Sequence, residues 1–422
     1  MEIITIPYGK GEQLLQVNEK NLVAVLRPKE KERSGLEEKE IVKAALSDPI
    51  NSVELCYLAK EKKKIVLITS DHTRPVPSKT TVPVLLKEIR KWNHAADVTI
   101  LVATGMHRPT THEELIQKFG DEIVRKEKIV IHDAFDKEKM AYYGKLPSGG
   151  ELWLNGLLKE AELVISEGFI EPHFFAGFSG GRKSILPGIA YAETVMYNHN
   201  AGFISNSHAK QGILKGNPIH EDMMYAAKQA GLAFIMNVIL DSEKRIVAAV
   251  AGNPEDAHEK GCQICDERMR LLPVMADIVV TSNGGYPLDQ NIYQSVKGMT
   301  AAEACVRPGG VIIMNAALRD GHGGECFFKW FAERASAEEV MREIERVPAV
   351  RTSPDQWEAQ ILARIQMKAH CMVVTGKENR VLVEKMHMEW MPDVNTALLK
   401  AYERLGAESS VTVIPDGVGV IL

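Results

Sequence analysis

The sequence contains no run of about 18 consecutive apolar residues, so no membrane-spanning helix is expected. It opens Met1-Glu2-Ile3-Ile4-Thr5-Ile6, without the basic stretch and apolar core of a secretion signal. It has little cysteine: Cys56, Cys262, Cys265, Cys305, Cys326 and Cys371 are scattered along 422 residues, which excludes a disulfide scaffold. These absences point to the cytoplasm. Neither sign of charge dominates: 51 Lys and Arg stand against 56 Asp and Glu, for a net charge of -5. No basic field for nucleic acid is expected, and the one cluster, Lys62 to Lys64 after Glu61, reads as a solvated turn. An anionic substrate would have to be caught by local cations. There is no HExxH zinc motif. The single CxxC, Cys262 to Cys265, lacks a second pair at zinc-site spacing and reads as incidental. Internal repeats and low-complexity tracts are also lacking.

What is present is an ordinary globular composition, 45% hydrophobic and 25% charged, in a chain too long for one core. Residues 2–26 alternate apolar and polar around Gly9-Lys10-Gly11, which predicts a hairpin. From Lys64 onward, continuous apolar runs predict strands buried on both faces: 65–69, 98–102, 163–165 and 234–240. A helix is predicted between the first two, over 79–92. A polar helix is expected over 254–271, with Asn253 as its N-cap. A second series of runs follows at 277–281, 310–314 and 370–374, with His370-Cys371 expected in the core. Strands alternating with helices predict an α/β fold of two α/β domains with mainly parallel sheets. The boundary is placed near residue 270, giving domains 1–270 and 271–422.

Ligands of open α/β sheets bind beyond the carboxyl ends of the strands. The predicted strands are followed by Ser70-Asp71-His72-Thr73-Arg74-Pro75, by Ala103-Thr104-Gly105-Met106-His107-Arg108-Pro109, and by Ser166-Glu167-Gly168 leading to Glu171-Pro172-His173-Phe174-Phe175. A fourth is followed by Ser282-Asn283-Gly284-Gly285. Gly and Pro alone would mark ordinary turns. Four corresponding strand ends rich in His, Arg, Asp, Gly and Pro, with two arginines just before prolines, instead point to a shared site.

Gly177-Phe178-Ser179-Gly180-Gly181-Arg182-Lys183-Ser184 approaches the pattern of a phosphate loop. Arg182 stands where that pattern needs its last glycine, which argues against a nucleotide-dependent phosphotransferase or ATPase. Backbone N–H groups and a lysine remain able to hold a single phosphate, and a deprotonated lysine can be a covalent attachment point. Downstream, Tyr197-Asn198-His199-Asn200 offers an imidazole. By spacing alone this is either a metal ligand or a satisfied histidine. In the later half, Tyr293 and Lys297 fall on one helix face with Gln294 at its edge. They form either a clamp for a carboxylate and hydroxyl or a solvated face. Trp357 either closes a cleft or fills a core.

Taken together and in order, these motifs resemble the nickel-dependent lactate racemase family. The resemblance runs from Ser70–Pro75 and Ala103–Pro109 through Glu171–Lys183 and Asn198–Asn200 to Tyr293–Gly298 and Trp357. It implies two α/β domains with the active site in the cleft between them. The implied cofactor is a nickel-pincer nucleotide, a pyridinium-3,5-bisthiocarboxylic acid mononucleotide, covalently attached to a lysine. The resemblance assigns Lys183 to that bond and His199 to the nickel. Asp71, His72, Thr73 and Arg74 are assigned to the cofactor pocket, with Arg74 also near substrate. It makes His107 and His173 the acid/base pair, and Tyr293, Gln294, Lys297 and Trp357 substrate-binding. The expected partners are a small 2-hydroxy acid and the proteins that make the cofactor and insert nickel. Lactate is the first expectation, suggested by Phe174 and Phe175 beside His173; malate or a sugar acid is the alternative.

The chemistry explains the residue types. Loss of the C2 hydrogen as hydride, with the hydroxyl proton leaving, avoids a carbanion and gives a planar 2-keto acid that can be re-formed on either face. Two bases on opposite sides are then needed, and imidazole suits both directions. The hydride acceptor has to be a cofactor. Arginine and lysine would keep the carboxylate from drifting.

Overall fold

The computed structural model describes residues 1–29 and 35–422. By packing, the chain divides into two units. The first comprises Lys31–Asn198 and Asn206–Glu267; the second comprises Met1–Glu30, His199–Ser205 and Arg268–Leu422.

The first unit is built on a six-stranded sheet. Its order is Ile246–Gly252, Leu232–Leu240, Leu163–Phe169, Lys64–Ser70, Asp97–Ala103, Lys128–Ile131. Every pairing is parallel except that of the Ile246–Gly252 edge strand. Ile65, Leu67, Val98, Ile100, Ile165 and Phe234 form one core with the helices that cover the sheet. The Ser78–Arg90 helix contributes Val82, Leu85, Leu86 and Ile89, the i, i+3, i+4, i+7 stripe of an amphipathic helix. The strand order reverses between Lys64–Ser70 and Leu163–Phe169, and a doubly wound sheet opens its binding crevice at such a point.

The second unit holds an all-parallel sheet in the order Glu389–Met391, His370–Val374, Val306–Asn315, Ala276–Ser282, Val411–Ile414, Leu22–Val25. Its own reversal lies between Ala276–Ser282 and Val411–Ile414. The hairpin of Glu2–Tyr8 and Gly11–Val17 forms as expected, and Ile4, Ile6, Leu15 and Val17 join this unit's core.

A single cut near residue 270 therefore describes the packing only in part. Leu22–Val25 pairs with Val411–Ile414 as the edge strand of the second sheet, which draws the N-terminal segment into that unit. His199–Ser205 also packs there, because Gln360 donates to the Ala201 carbonyl (2.9 Å) and to Ser205 Oγ (2.7 Å). The strand expected at 163–165 runs on to Phe169, so Ser166, Glu167 and Gly168 are strand rather than loop. The polar helix spans Asp256–Met269, and Asn253 caps it by accepting from the Glu255 and Asp256 amides (2.9 and 3.3 Å). Cys371 is core, but His370 is only half-buried, with Nε2 2.6 Å from Glu389 Oε2. Among the described residues no cysteine is in a disulfide and no helix is long and apolar enough to cross a membrane.

Candidate active site

The first unit gathers most of its expected residues at the strand reversal. Asp71 follows the Lys64–Ser70 strand and is buried. His107 follows the Asp97–Ala103 strand, and its Nδ1 donates to Asp71 Oδ2 at 2.7 Å. When the ring is neutral, this bond leaves Nε2 as its acceptor nitrogen. The other Asp71 oxygen accepts from the Thr73 amide (3.1 Å) and hydroxyl (2.7 Å). Burial pushes the Asp71 acidity toward the neutral form. The hydrogen bond and charge of His107, the charge of Arg74 and the Thr73 bond outweigh it, and the carboxyl is held far below its ordinary range.

His72 turns elsewhere. Its Nδ1 lies 3.1 Å from Thr110 Oγ1 and 3.7 Å from Glu114 Oε2. Burial lowers its proton affinity, although Asp71 and Glu114 oppose this. Arg108 is also diverted, making a bidentate pair with Glu114 at 2.5 and 2.9 Å. Of the two arginines that precede prolines, Arg74 is among the main influences on Asp71, while Arg108 is chiefly engaged by Glu114.

His173 begins a tight two-stranded turn, Pro172–His173 against Gly177–Phe178. Its Nδ1 accepts from the Ala176 amide at 3.3 Å. Phe174 stacks on the ring (5.0 Å between centroids) and Phe175 meets it edge-on (4.5 Å). Lys183 Nζ lies 5.7 Å from the centroid of the same Phe175. One aromatic ring thus stands beside both the imidazole and the amine.

The Gly177–Ser184 segment is not a phosphate loop. The Phe178, Ser179, Gly181 and Lys183 amides are spent on the Ala176 carbonyl, the Glu171 carbonyl, Asn237 Oδ1 and the Gly180 carbonyl. The loop instead closes around its own Arg182, which is fully buried. Gly180 and Gly181 both have positive φ, and a Cβ on either would come within 2.8 Å of Asn237 Oδ1 or of the His258 ring. The side chain at 182 therefore does more than spoil a nucleotide pattern: it is the centre of the turn.

Two further charged residues, one expected only as part of a loop and one not singled out in the sequence, lie buried in this unit. Glu167 is fully buried and accepts from Ser78 Oγ (2.9 Å) and Thr81 Oγ1 (2.5 Å), and burial pushes its carboxyl up. Lys118 is nearly buried, reaches Ser70 Oγ at 3.3 Å, and is pushed down by burial against the pull of Glu167 and Asp71. An acidic and a basic residue ending two apolar segments were the available signal.

The second unit carries a separate cluster. His199 is buried, with its ring edge-on to Trp357 at 5.0 Å between centroids. Trp357 donates from Nε1 to the Tyr293 hydroxyl at 3.0 Å. Tyr293, Gln294 and Lys297 lie on the Ile292–Cys305 helix, and Lys297 Nζ donates to Gln294 Oε1 at 2.7 Å. Asn283 ties this helix to the sheet. Its Nδ2 donates to the Gln294 and Leu288 carbonyls (2.5 and 2.6 Å), and its Oδ1 accepts from the Gly298 amide (2.9 Å). The fourth strand end expected to contribute to the site thus supplies a tether in the second unit. Glu358, beside Trp357, is fully buried, and neither carboxyl oxygen has a hydrogen-bond partner among the described residues. Burial pushes its acidity well above the ordinary carboxyl range, against the pull of Lys297.

Away from these clusters, one group of three possible metal-ligating side chains lies together among the described residues: Glu54, Cys56 and Glu88. Lys91 is paired with both carboxylates (3.8 and 3.5 Å) and offsets part of their charge.

Comparison with known proteins covers the whole chain. Residues 8–212 match the lactate racemase N-terminal domain model, and residues 272–422 match the lactate racemase C-terminal domain model. A lactate racemase of Thermoanaerobacterium thermosaccharolyticum is 52% identical over 100% of this chain and 99% of its own length. That of Lactiplantibacillus plantarum is 48% identical over the full length of both. The solved structure of the T. thermosaccharolyticum lactate racemase apoprotein superposes with a TM-score of 0.97, covering 100% of this chain and 99% of the other. A Thermotoga maritima protein shares the fold at 18% identity, with a TM-score of 0.68 over 92% of this chain and 99% of its own.

Proposed function

Because the chain belongs to the lactate racemase family, we propose that it is an isomerase that interconverts D- and L-lactate. The observation that carries this reading is the pair of imidazoles at separate strand ends of one sheet. His107 is tied to an ionised carboxylate and His173 is set between two phenylalanines. For one enantiomer His107 takes the hydroxyl proton through Nε2, and His173, starting protonated, returns a proton to the same oxygen from the other side. Neither imidazole handles the C2 hydrogen, whose acceptor the cofactor would supply, and for the mirror image the roles exchange. Phe174 and Phe175 favour a substrate with a small apolar group, which lactate's methyl provides. Arg74 and Lys297 are the cations assigned to the carboxylate, and Gln294 aligns Lys297.

Nickel and the pincer nucleotide are proposed on the resemblance, and the donor chemistry fits them. A buried imidazole, His199, suits nickel, and as a single donor it leaves the remaining coordination to the nucleotide. Lys183 would hold the nucleotide through its amine. Asp71, Thr73 and Arg74 would line its pocket, with His72 in a supporting place because its ring is engaged by Thr110. When bound, the cofactor supplies the hydride acceptor that no side chain offers. Tyr293 and Trp357, joined by their hydrogen bond, give His199 and substrate an aromatic wall. We place the enzyme in the cytoplasm, served by cofactor-synthesis and nickel-insertion proteins and without a nucleic-acid partner, as its net charge of -5 suggests.

The test is racemisation of L-lactate by protein co-expressed with the cofactor-synthesis proteins, with nickel measured on the same sample. Activity is expected to track nickel content and to be missing from protein made without those partners. Nickel-loaded protein inert toward lactate would overturn the substrate and redirect the assay to malate and sugar acids. Full activity from nickel-free protein would overturn the cofactor.

A further inference from the structure

We propose that Arg182 is a positioning residue for Lys183: a buried cation around which the loop is wound so that the next side chain faces outward. The inference rests on the reading that Lys183 is the cofactor's attachment point.

Arg182 is the largest fully buried side chain among the described residues. Nη2 donates to the Ala176 carbonyl (2.7 Å). Nη1 donates to the Phe178 carbonyl (2.7 Å) and approaches those of Ser179 and Gly180 (both 3.3 Å). Nε donates to His220 Nδ1 (3.0 Å), and Nη1 lies 2.9 Å from His258 Nε2. A guanidinium can only donate, so His220 Nδ1 acts as an acceptor. His258 Nε2 also lies 2.9 Å from the Ser179 carbonyl, so that nitrogen stands between the guanidinium and a carbonyl that Arg182 itself reaches. Both imidazoles are held neutral by burial first and the Arg182 charge second, His220 down to about 3 and His258 well below its ordinary value. Among the described residues no carboxylate is ion-paired with Arg182. The charge is met by four carbonyl dipoles and two rings.

That arrangement has a directional consequence. A buried ion is tolerated only when its hydrogen-bonding groups are satisfied, so the Ala176, Phe178, Ser179 and Gly180 carbonyls must face inward. Gly181–Ser184 is a tight three-residue-per-turn segment, in which consecutive side chains point about 120° apart. With Arg182 pinned inward, Lys183 is turned toward Phe175, with its amine 5.7 Å from the centroid of that ring. The planar fork that reaches four carbonyls and two rings is available to arginine and not to the point charge of lysine.

The experiment uses Arg182→Lys and His258→Gln in the full chain, the second in case the first does not fold. Two quantities are read on folded, soluble protein: the fraction carrying the cofactor mass at Lys183, and the trace-acetylation rate of Lys183 by acetic anhydride relative to exposed lysines of the cofactor-free protein. Arg182→Lys is expected to lower the adduct fraction at least about tenfold, since small misplacements of a reacting group are costly, and to change the relative acetylation of Lys183. His258→Gln is expected to move both in the same sense by less. A residue that only held the fold would reduce yield and Tm while leaving both quantities at wild-type values in the chains that do fold, and that result overturns the proposal. A wild-type protein with no adduct at Lys183, but whose Lys183 acetylation still depends on Arg182, would instead overturn the attachment reading alone.

Discussion

Asp71 and Glu358 are both buried carboxyls, one in each unit, and they are driven in opposite directions. Burial raises the proton affinity of each. Asp71 meets His107, Thr73 and the charge of Arg74, and stays ionised. Glu358 has no hydrogen bond to either oxygen among the described residues, and burial pushes it toward the protonated form. Burial alone therefore does not decide the charge of a site; the donors around the group do. The first unit has a fixed negative charge behind an imidazole, as proton transfer requires. The second has aromatic rings and a buried acid of raised proton affinity beside a lysine whose charge pulls against that rise.

The sharpest way to break this contrast is to remove the charged side. His107→Ala is expected to lower kcat by about 10²- to 10⁴-fold, the usual worth of a positioned general base. Asp71→Asn should lose a smaller part of that, because the ring stays but its tautomer and orientation are no longer held. Nickel content should stay at the wild-type level in His107→Ala, which separates proton transfer from cofactor retention. Mirror images have an equilibrium constant of unity, so kcat/KM must fall equally in the two directions. Only kcat and KM taken separately can show which face has lost its base. Unequal loss of kcat/KM would mean the assay is not at racemisation, and wild-type kcat in His107→Ala would remove the histidine from the mechanism.

The neutral side is tested by stability. Glu358 takes up its proton more readily in the folded chain than in the unfolded one, where its ordinary value is about 4.3. Its contribution is complete below that value and is lost as pH rises toward the raised folded value, because the unfolded chain releases the proton first. Glu358→Gln carries no such proton. The Tm of the wild type should therefore fall relative to Glu358→Gln as pH rises from 4 toward 8. A difference that is flat with pH would show that Glu358 is ionised in the fold.

Much of this was legible beforehand, for a physical reason. Strands of a parallel sheet are buried on both faces, so 65–69 and 278–280 read as unbroken apolar runs, and the loops after them read as candidate sites. Local pattern also placed Tyr293 and Lys297 on one helix. What stayed hidden depended on distant partners. Leu22–Val25 is short and half-exposed, and it becomes a sheet edge only because Val411–Ile414 comes to lie beside it. Glu167 looks like the start of a loop until Ser78 and Thr81 are seen to satisfy it in the strand. Arg182 read as a flaw in a nucleotide motif, since nothing local reveals that His220 and His258 come to meet it. His72 and Arg108 had the right type and position, but Thr110 and Glu114 claim them.

The smallest expected effect sharpens the aromatic side of the comparison. Trp357→Phe keeps a ring to meet the His199 imidazole and removes only the Nε1 donor to the Tyr293 hydroxyl. One neutral hydrogen bond is worth about 0.5–1.5 kcal/mol, so kcat/KM should fall no more than about tenfold. If the wall's task is mainly to keep His199 dry and oriented, nickel retention after dialysis should be near wild type in Trp357→Phe and clearly lower in Trp357→Ala, which removes the ring. Equal nickel loss in the two variants would place the weight on the hydrogen bond. Tyr293→Phe, which removes the acceptor and leaves the indole in place, would then have to lose nickel to the same extent.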